Sequence, residues 1–335
     1  MKRIENFVLL LSILLLSSCA LPNSPSSPHL MPTATTQPLY SSYMGPLNHP
    51  VTTTGCRQAS PVKPGTSAII TIAASPAVSH GNRTRTYVVH VPITYQNTQP
   101  YAVILSFHGY GGTAAAMDRS SGFTQLSEQQ HFIAAYPQGV LDGTGKPFWA
   151  SAGPIDFGID DVLFVSHILD DLQKNFCVDP QRIYATGFSN GGGMTWLLSC
   201  RFAGRIAAFA PISGNFYAFA GGCHPGRPVP ILDIHGTKDP LLPYNGIPAS
   251  ANPAWPLPSI PQWLQDWATR NGCASGPTVF LHAGNVIGEQ WNGCPGNSAV
   301  VHYRIVGGVH TGPPPINGRS PAAIIWSFFQ THPLT

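Results

Sequence analysis

Charged residues are scarce in this chain. Asp, Glu, Lys and Arg make up 9 % of its 335 residues, against roughly 25 % in an average soluble protein. The net charge is +3 and no run of lysine or arginine occurs, so the basic stripe typical of nucleic-acid-binding proteins is missing. The hydrophobic content of 43 % is enough for a folded core. We therefore predict a globular protein with no nucleic-acid partner.

The cysteines and glycines lack the spacings of metal and phosphate sites. None of the seven cysteines forms a C-x-x-C pair, so a zinc or thioredoxin-like site has no support. The glycine-rich stretch at 187–193 is not followed by the G-K-[ST] of a phosphate-binding loop. We predict no metal and no cofactor.

The first 19 residues have the pattern of an export signal. Basic residues precede an apolar run, 7–16, that is too short to span a bilayer. The sequence LSSC, ending at Cys19, resembles the lipobox of bacterial lipoproteins, in which the cysteine is lipidated. We predict a signal peptide over 1–19 and a lipid anchor at Cys19 that holds an exported protein at the bacterial membrane. Ordinary cleavage near Ala20 is the alternative.

Residues 20–55 contain no Asp, Glu, Lys or Arg and are rich in Pro, Ser and Thr. Such a segment cannot build a core, and we predict a disordered tether. Residues 56–335 are then long enough for one large domain.

Short apolar runs and helical patterns alternate along this domain. The run YAVILSF, 101–107, is typical of a strand buried on both faces. Helices are predicted at 160–176, 260–272 and 320–332 from apolar spacing and capping residues. The alternation predicts an α/β fold with a mostly parallel central sheet of about eight or nine strands and helices on both faces.

The sequence GFSNG, 187–191, matches the G-x-S-x-G motif of a serine nucleophile. A predicted strand, RIYAT, precedes it and a predicted helix follows, which is the setting that a nucleophile elbow requires. Glycines leave room for the sharp turn, and the helix N-terminus favours a developing negative charge. Ser189 is the predicted nucleophile, and a plain glycine-rich strand–helix turn is the alternative.

A nucleophilic serine needs a histidine base and an acid, which in this arrangement follow it in the order Ser, Asp or Glu, His. Asp239 lies just beyond the predicted strand PILDIHG, where active sites of such sheets are found. Asp233 lies inside that strand, and Glu289 lies in a polar segment predicted to be a loop. Asp239 is therefore the predicted acid.

His310 stands in the glycine-rich loop VGGVHTG between the last predicted strand and the last predicted helix. This is the place expected for the base. Other histidines downstream of Ser189 fit less well: two precede Asp239, two lie in strand-like runs and one is near the chain end. They are His224, His235, His282, His302 and His332.

Two backbone N–H groups should stabilise the oxyanion of an acyl-transfer intermediate. Asn190, the residue after the serine, is one predicted donor. The other is Tyr110, with Gly111 as the alternative, in the loop HGYGG that follows the strand at 101–107. For His108 in this loop, the alternative to a functional role is a structural one, in which its hydrogen bonds hold the loop.

Several motifs together resemble the secreted polyhydroxybutyrate depolymerase and feruloyl esterase group of α/β-hydrolases, which is related to carbohydrate esterase family one. They are HGYGG, DDVLF, CVDPQRIYATGFSNGGGM, RPVPILDIHGTKDPLLPY and GGVH, in the family's order from about Cys56 to the C-terminus. The resemblance implies an α/β-hydrolase fold, a Ser189–Asp239–His310 triad and main-chain donors near Tyr110 and Asn190. It also implies esters of aromatic acids, acetylated xylan or short hydroxyacid polyesters as substrates.

One departure affects the expected substrate pocket. The family often has a Trp-Pro pair shortly after the histidine, where this chain has Gly312 and Pro313. Trp149, in GKPFWAS, is a predicted wall of the acyl pocket, with ordinary loop packing as the alternative.

The six cysteines after Cys19 favour disulfides in an exported protein. The short span between Cys273 and Cys294 suits a loop bridge. Cys177 precedes the nucleophile strand and Cys200 lies about 16 Å down the following helix, so both should reach the same end of the sheet. We predict Cys273–Cys294 and Cys177–Cys200, and Cys56–Cys223 by elimination.

The predicted function is that of a monomeric serine esterase that binds an ester substrate and works through an acyl-enzyme. A catalytically inactive hydrolase-fold binding lipoprotein is the alternative from another class. A lipase or peptidase on the same fold is a third, although no long apolar lid segment is present to favour a lipase.

Overall fold

The computed structural model describes residues 48–49, 51–72, 84–152 and 159–335. The predicted signal peptide, Cys19 and almost all of the predicted tether lie outside these ranges. None of the helices within them is both long and apolar enough to cross a membrane.

A sheet of ten strands forms the centre of the domain. Six of its strands are parallel, and an antiparallel pair continues the sheet at each edge. The spatial order is β1-β2-β4-β3-β7-β8-β9-β12-β11-β10. These strands are β1 Thr66–Ile72, β2 Arg85–Val91, β3 Tyr101–Phe107, β4 Phe132–Pro137, β7 Val178–Phe188, β8 Ala208–Ile212, β9 Ile231–Gly236, β10 Ser275–Ala283, β11 Val286–Asn292 and β12 Val300–Ile305. The short strands β5 Val140–Leu141 and β6 Pro147–Phe148 pair separately.

Six described helices cover both faces of the sheet, so the predicted layered α/β-hydrolase fold is confirmed. Helices α3, α4 and α5 pack in one hydrophobic cluster, and α1, α2 and α6 pack in the other. Each cluster also contains strand side chains, a different set in each, because successive side chains of a strand point to opposite faces of the sheet. The helices are α1 Ala114–Ser120, α2 Phe123–Gln130, α3 Asp161–Asn175, α4 Asn190–Arg201, α5 Ile260–Asn271 and α6 Pro321–Gln330.

The predicted sheet of about eight or nine strands is smaller than the observed ten, because β11 was not predicted. The β11 sequence VIGEQWN carries Glu289 and Gln290 within its apolar positions and resembles a loop. It forms because it pairs on both sides, with β10 and with β12, near an edge where one face meets water. Glu289 is therefore a strand residue, and its carboxylate lies 3.0 Å from the guanidinium of Arg304.

Two of the three predicted disulfides are wrong. The structure pairs Cys56 with Cys177 and Cys200 with Cys223, rather than Cys177–Cys200 and Cys56–Cys223. The predicted Cys273–Cys294 bridge is present. Spacing along the chain did not predict the other two, because each depends on where a distant loop packs.

The long loop after β8 passes the end of α4, which explains the Cys200–Cys223 pair. There the Arg201 guanidinium donates to the Ala220 carbonyl at 2.6 Å. This contact brings the loop, and Cys223 with it, to the last turn of the helix.

The last residues of the predicted tether lie against the domain and explain the Cys56–Cys177 pair. The Thr54 and Gly55 N–H groups both donate to the Gln173 carbonyl at 3.0 Å. The Thr53 hydroxyl donates to the Val178 carbonyl at 2.8 Å. These bonds place the segment next to the beginning of β7, so packed structure begins before residue 56.

Candidate active site

Ser189 occupies the sharp turn between β7 and α4. Its φ of 57° and ψ of −120° lie in a region that side chains other than glycine rarely adopt. The turn is held because the Ser189 N–H donates to the Ile212 carbonyl at 2.9 Å. A Cβ at Gly191 would collide with the Phe107 carbonyl, so glycine there lets α4 begin directly against β3.

The predicted nucleophile, base and acid form one hydrogen-bonded chain. His310 Nε2 lies 2.8 Å from Ser189 Oγ, and His310 Nδ1 lies 2.7 Å from Asp239 Oδ2. The carboxylate can only accept, so Nδ1 carries the proton and Nε2 is free to accept from the serine hydroxyl. This is the tautomer that a general base needs.

Asp239 is fixed by the loop that follows β9. Its Oδ1 accepts the Leu241 and Leu242 N–H groups at 2.9 and 2.8 Å, which leaves Oδ2 for His310. His235 Nε2 donates to the Leu242 carbonyl at 2.9 Å and lies 3.6 Å from Asp239 Oδ2. His235 is therefore a positioning residue beneath this loop, a role that its place at a strand end did not predict.

The loops that carry Asp239 and His310 are also joined to each other. The Lys238 N–H donates to the Gly308 carbonyl at 2.8 Å, and the Gly307 N–H donates to the Thr237 hydroxyl at 2.8 Å. Both loops follow neighbouring parallel strands, β9 and β12. The pairing of these strands therefore sets the distance between acid and base.

The predicted oxyanion donors lie beside the serine. Gly109 approaches Ser189 so closely that a Cβ at 109 would lie 3.3 Å from Ser189 Cβ. The Gly111 N–H already donates to the Pro147 carbonyl at 2.8 Å, so it is not a free donor. Among the described residues, the backbone N–H groups of Tyr110 and Asn190 have no hydrogen-bond partner.

His108 holds in place the loop HGYGG, which carries the predicted oxyanion donor Tyr110. Its Nδ1 donates to the Gly109 carbonyl at 2.8 Å, and its Nε2 accepts the Gly139 N–H at 2.9 Å. Burial lowers the pKa of His108, outweighing the opposite effect of the Gly109 hydrogen bond. Its neutral form therefore keeps the acceptor that Gly139 requires.

Trp149 supports the site more than it lines it. Its side chain borders the cavity at Ser189 but is only 1 % exposed. Its indole N–H donates to the His108 carbonyl at 2.9 Å, and its backbone makes two hydrogen bonds with the Asn190 side-chain amide, at 2.7 and 3.0 Å. The predicted pocket wall thus mainly links the loop after β3 to the start of α4, the two segments that carry the predicted oxyanion donors.

The loop with Trp149 is hydrogen-bonded to Asp161 at the start of α3, and Asp161 also forms a buried ion pair with Arg85 of β2. The Ala150 N–H donates to Asp161 Oδ2 at 2.8 Å, and Asp161 Oδ1 accepts from Arg85 at 2.7 Å. The Arg85 guanidinium also lies 3.8 Å from the Phe164 ring centroid. This charge pair fixes the end of α3 relative to the site.

Other titratable residues downstream of Ser189 lie outside the triad. Asp233 is fully buried, with Oδ2 2.9 Å from His302 Nδ1 but not aligned for a hydrogen bond. His302 Nε2 lies 3.0 Å from the Tyr244 hydroxyl. Asp266 is exposed on α5. It is a further acidic residue downstream of Ser189, which the spacing of the motifs did not indicate. His224, His282 and His332 do not line the cavity at Ser189.

A cavity of about 310 Å³ opens at Ser189. Its walls carry aromatic and aliphatic side chains that the motif analysis missed, because no periodic pattern marks the loops on which they lie. These are Phe148, Tyr217, Leu241, Leu242 and Trp255. A second cavity, about 1060 Å³, lies beyond Tyr110 and Phe148 and contains no triad residue. In the described part of the chain, no cluster of His, Cys, Asp and Glu is suited to hold a metal ion.

Comparison with known proteins identifies feruloyl esterases as relatives. No protein-family model matches the chain. It is 30 % identical over 239 residues to feruloyl esterase B of Piromyces equi, covering 70 % of this chain but 42 % of that protein. It is 29 % identical over 257 residues to feruloyl esterase C of Emericella nidulans, covering 73 % of this chain and 84 % of that protein. The chain thus spans less than half of the Piromyces protein.

A solved structure with the same fold is the acetyl xylan esterase from Aspergillus awamori. It matches 79 % of this chain and 99 % of its own length with a TM-score of 0.56 and 16 % identity. The chain therefore has the α/β-hydrolase fold and is a homologue of the feruloyl esterases.

Proposed function

We propose that this protein is a serine carboxylic ester hydrolase that works through an acyl-enzyme on Ser189. The observation that carries the proposal is the hydrogen-bond chain from Ser189 Oγ through His310 to Asp239, with distances of 2.8 and 2.7 Å. A binding protein on an inactive scaffold has no need for this alignment. The alternative of an inactive lipoprotein is therefore disfavoured.

Each step of the reaction uses a group that is already in place. His310 Nε2 takes the proton of Ser189 Oγ as the oxygen attacks the ester carbonyl carbon, and Asp239 stabilises the imidazolium that forms. The Tyr110 and Asn190 N–H groups donate to the oxyanion. His310 then gives its proton to the leaving alcohol, and water repeats the sequence to release the acid.

We propose feruloyl or acetyl esters of plant polysaccharide as the substrates. The names of the relatives support this class, and the aromatic walls of the cavity suit a planar acyl group or a sugar ring. Short hydroxyalkanoate polyesters, implied by the motif resemblance, are the second candidate. A lipase or peptidase function has no observation in its favour.

We further propose that the protein is exported, lipid-anchored at Cys19 and monomeric. Three disulfides support an oxidising compartment. Metabolic labelling with radioactive palmitate tests the anchor, because label should enter the wild type and not a Cys19→Ala variant. Labelling of both, or of neither, would contradict lipidation. Size-exclusion chromatography with light scattering of the soluble domain tests the oligomeric state.

Hydrolysis by purified protein tests the activity itself. Wild type should release p-nitrophenol from p-nitrophenyl acetate, while Ser189→Ala should lose at least about 10³-fold in kcat and keep its circular dichroism spectrum. Methyl ferulate, acetylated xylan and poly(hydroxybutyrate) then separate the substrate classes by the product released. An active Ser189→Ala variant would refute the assignment of the nucleophile.

A further inference from the structure

The loop between Asp239 and α5 carries an exposed aromatic side chain into the site. We call residues 245–257 the Trp255 loop. It is closed at its base because Ile247 and Leu257 exchange backbone hydrogen bonds, both of 2.9 Å. The segment before it is pinned to the sheet, since the Tyr244 hydroxyl lies 3.0 Å from His302 Nε2. The loop is thus a defined projection from the rim of the site.

Trp255 presents an aromatic surface at the cavity that contains Ser189. Its side chain is 41 % exposed, which is costly for so large an apolar group. Its ring centroid lies 5.2 Å from that of Tyr217, and both residues line the same cavity as Ser189 and His310. The two rings are tilted by 59° to each other, and we call this aromatic pair in the cavity wall the platform.

A neighbouring cavity continues from this platform. It has a volume of about 500 Å³ and shares Tyr217 with the cavity at Ser189, while Pro256 in its wall directly follows Trp255. Its lining is aromatic and aliphatic around Phe219 and Trp263, with Asp266 and Arg270 as charged groups. Both charged residues are exposed, with Asp266 Oδ1 accepting from the Gln262 side-chain amide at 2.8 Å and the Arg270 guanidinium 4.7 Å from the Trp267 ring centroid.

This mixture matches a carbohydrate better than a polyester. A sugar ring has C–H faces, which pack on aromatic rings, and hydroxyl edges, which bond to carboxylate and guanidinium groups. A polyester has no hydroxyl donors along its chain, so Asp266 would gain nothing from it. The chemistry of the two neighbouring cavities, which have Tyr217 in common, therefore favours a polyhydroxylated ligand with flat apolar faces.

The proton transfer from His310 indicates whether this ligand is the acyl half or the alcohol half of the ester. The leaving alcohol must lie at His310 Nε2 to receive its proton, and the Trp255 loop follows Asp239, the partner of His310. We propose that Trp255 and Tyr217 bind the sugar rings of the alcohol half, and that the neighbouring cavity takes the next sugar units. This inference rests on the proposed ester hydrolase function and assigns its specificity for oligosaccharide over simple alcohols.

Two pairs of substrates test the inference, each pair sharing one acyl group. Methyl ferulate is compared with ferulate esterified to an arabinoxylan trisaccharide, and p-nitrophenyl acetate with acetylated xylotriose. Trp255→Ala should lower kcat/KM for the oligosaccharide ester about fivefold, mainly through KM, and leave the simple ester within about twofold. Trp255→Phe, which keeps an aromatic face, should recover most of the loss.

Phe280→Ala is the matched control. Phe280 is 44 % exposed on the edge strand β10 and lines neither cavity, so this variant should treat all four substrates as wild type does. Binding is measured separately by titrating unesterified xylotriose into a Ser189→Ala background. There the Trp255→Ala change should weaken binding by a similar factor.

The outcomes separate the inference from the function on which it rests. Equal loss on both members of a pair, or no loss on either, overturns the role of Trp255 while leaving the esterase function intact. An oligosaccharide ester that wild type cleaves no better than the simple ester also overturns it. If wild type cleaves none of the four substrates, the proposed function itself fails, and the inference fails with it.

Discussion

The backbone strain at Ser189 can be measured by comparing two inactive variants. Ser189→Ala and Ser189→Gly both remove the hydroxyl and its contact with His310, but only alanine keeps a Cβ at a φ of 57° and a ψ of −120°. A non-glycine residue in such a region costs on the order of 1–3 kcal/mol. Glycine gives back about 0.4–1 kcal/mol because its unfolded chain is more flexible.

The glycine variant should therefore be the more stable of the two by about 1 kcal/mol. For a domain of this size, that corresponds to a Tm about 2 °C higher. Differential scanning calorimetry at pH 7 measures the difference directly. The two variants differ by one methyl group, so the comparison isolates the backbone from the lost hydrogen bond.

Ser199 provides the control within the same region. It is fully buried in the interior of α4, and its hydroxyl donates to the Trp196 carbonyl at 2.7 Å. In ordinary helical conformation glycine is about 1 kcal/mol worse than alanine, so Ser199→Gly should be less stable than Ser199→Ala. The same order at Ser189, with glycine less stable than alanine, would refute the claim that the elbow stores strain.

Three further predictions concern the supports of the site. Burial lowers the pKa of His108, so the unfolded chain takes up this proton at a higher pH than the folded protein, and the free energy of unfolding falls as the pH drops below about 6.5. The Tm of His108→Gln should therefore fall less between pH 7 and 5 than the Tm of wild type. An equal fall would contradict this reasoning. The bridge at Cys56 spans 121 residues and that at Cys273 spans 21, and a longer closed loop removes more entropy from the unfolded chain. Cys56→Ser should therefore lower the free energy of unfolding in urea by about 5 kcal/mol, and Cys273→Ser by about 3 kcal/mol. A larger loss for Cys273→Ser would contradict this dependence on loop length. Asp161→Asn removes the carboxylate from a buried ion pair with Arg85 and should cost about 3–5 kcal/mol, and a Tm equal to wild type would show that this pair is not needed.

The order of the motifs predicted that Ser189, Asp239 and His310 would lie close together, because each follows the carboxyl end of a parallel strand. Ser189 follows β7, Asp239 follows β9 and His310 follows β12, and these strands lie close together in the sheet. A residue type at such a strand end is informative, since the parallel register brings those ends to one edge. The role of His108 was open in the sequence, and only the contact with Gly139 decides it.

Features set by distant loops could not be predicted in this way. The partner of Cys177 depends on a segment before the domain, and the partner of Cys200 depends on a loop after β8. Strand β11 has too polar a sequence to be distinguished from a loop before its partners are known. Trp255 lies in a segment without periodicity, so nothing in the sequence relates it to Ser189.

The Cys56–Cys177 bridge also determines how the domain responds to mechanical load. Strand β1, the first along the chain, lies at the edge of the sheet, and a pull from the N-terminal side would otherwise peel the sheet open strand by strand. Because Cys56 precedes β1 in the chain, the bridge transmits this force to Cys177, directly before the central strand β7, and not to β1. Force applied on the N-terminal side of Cys56 is therefore transmitted to the middle of the sheet, and reduction of this one bond would transfer that force to the edge strand β1.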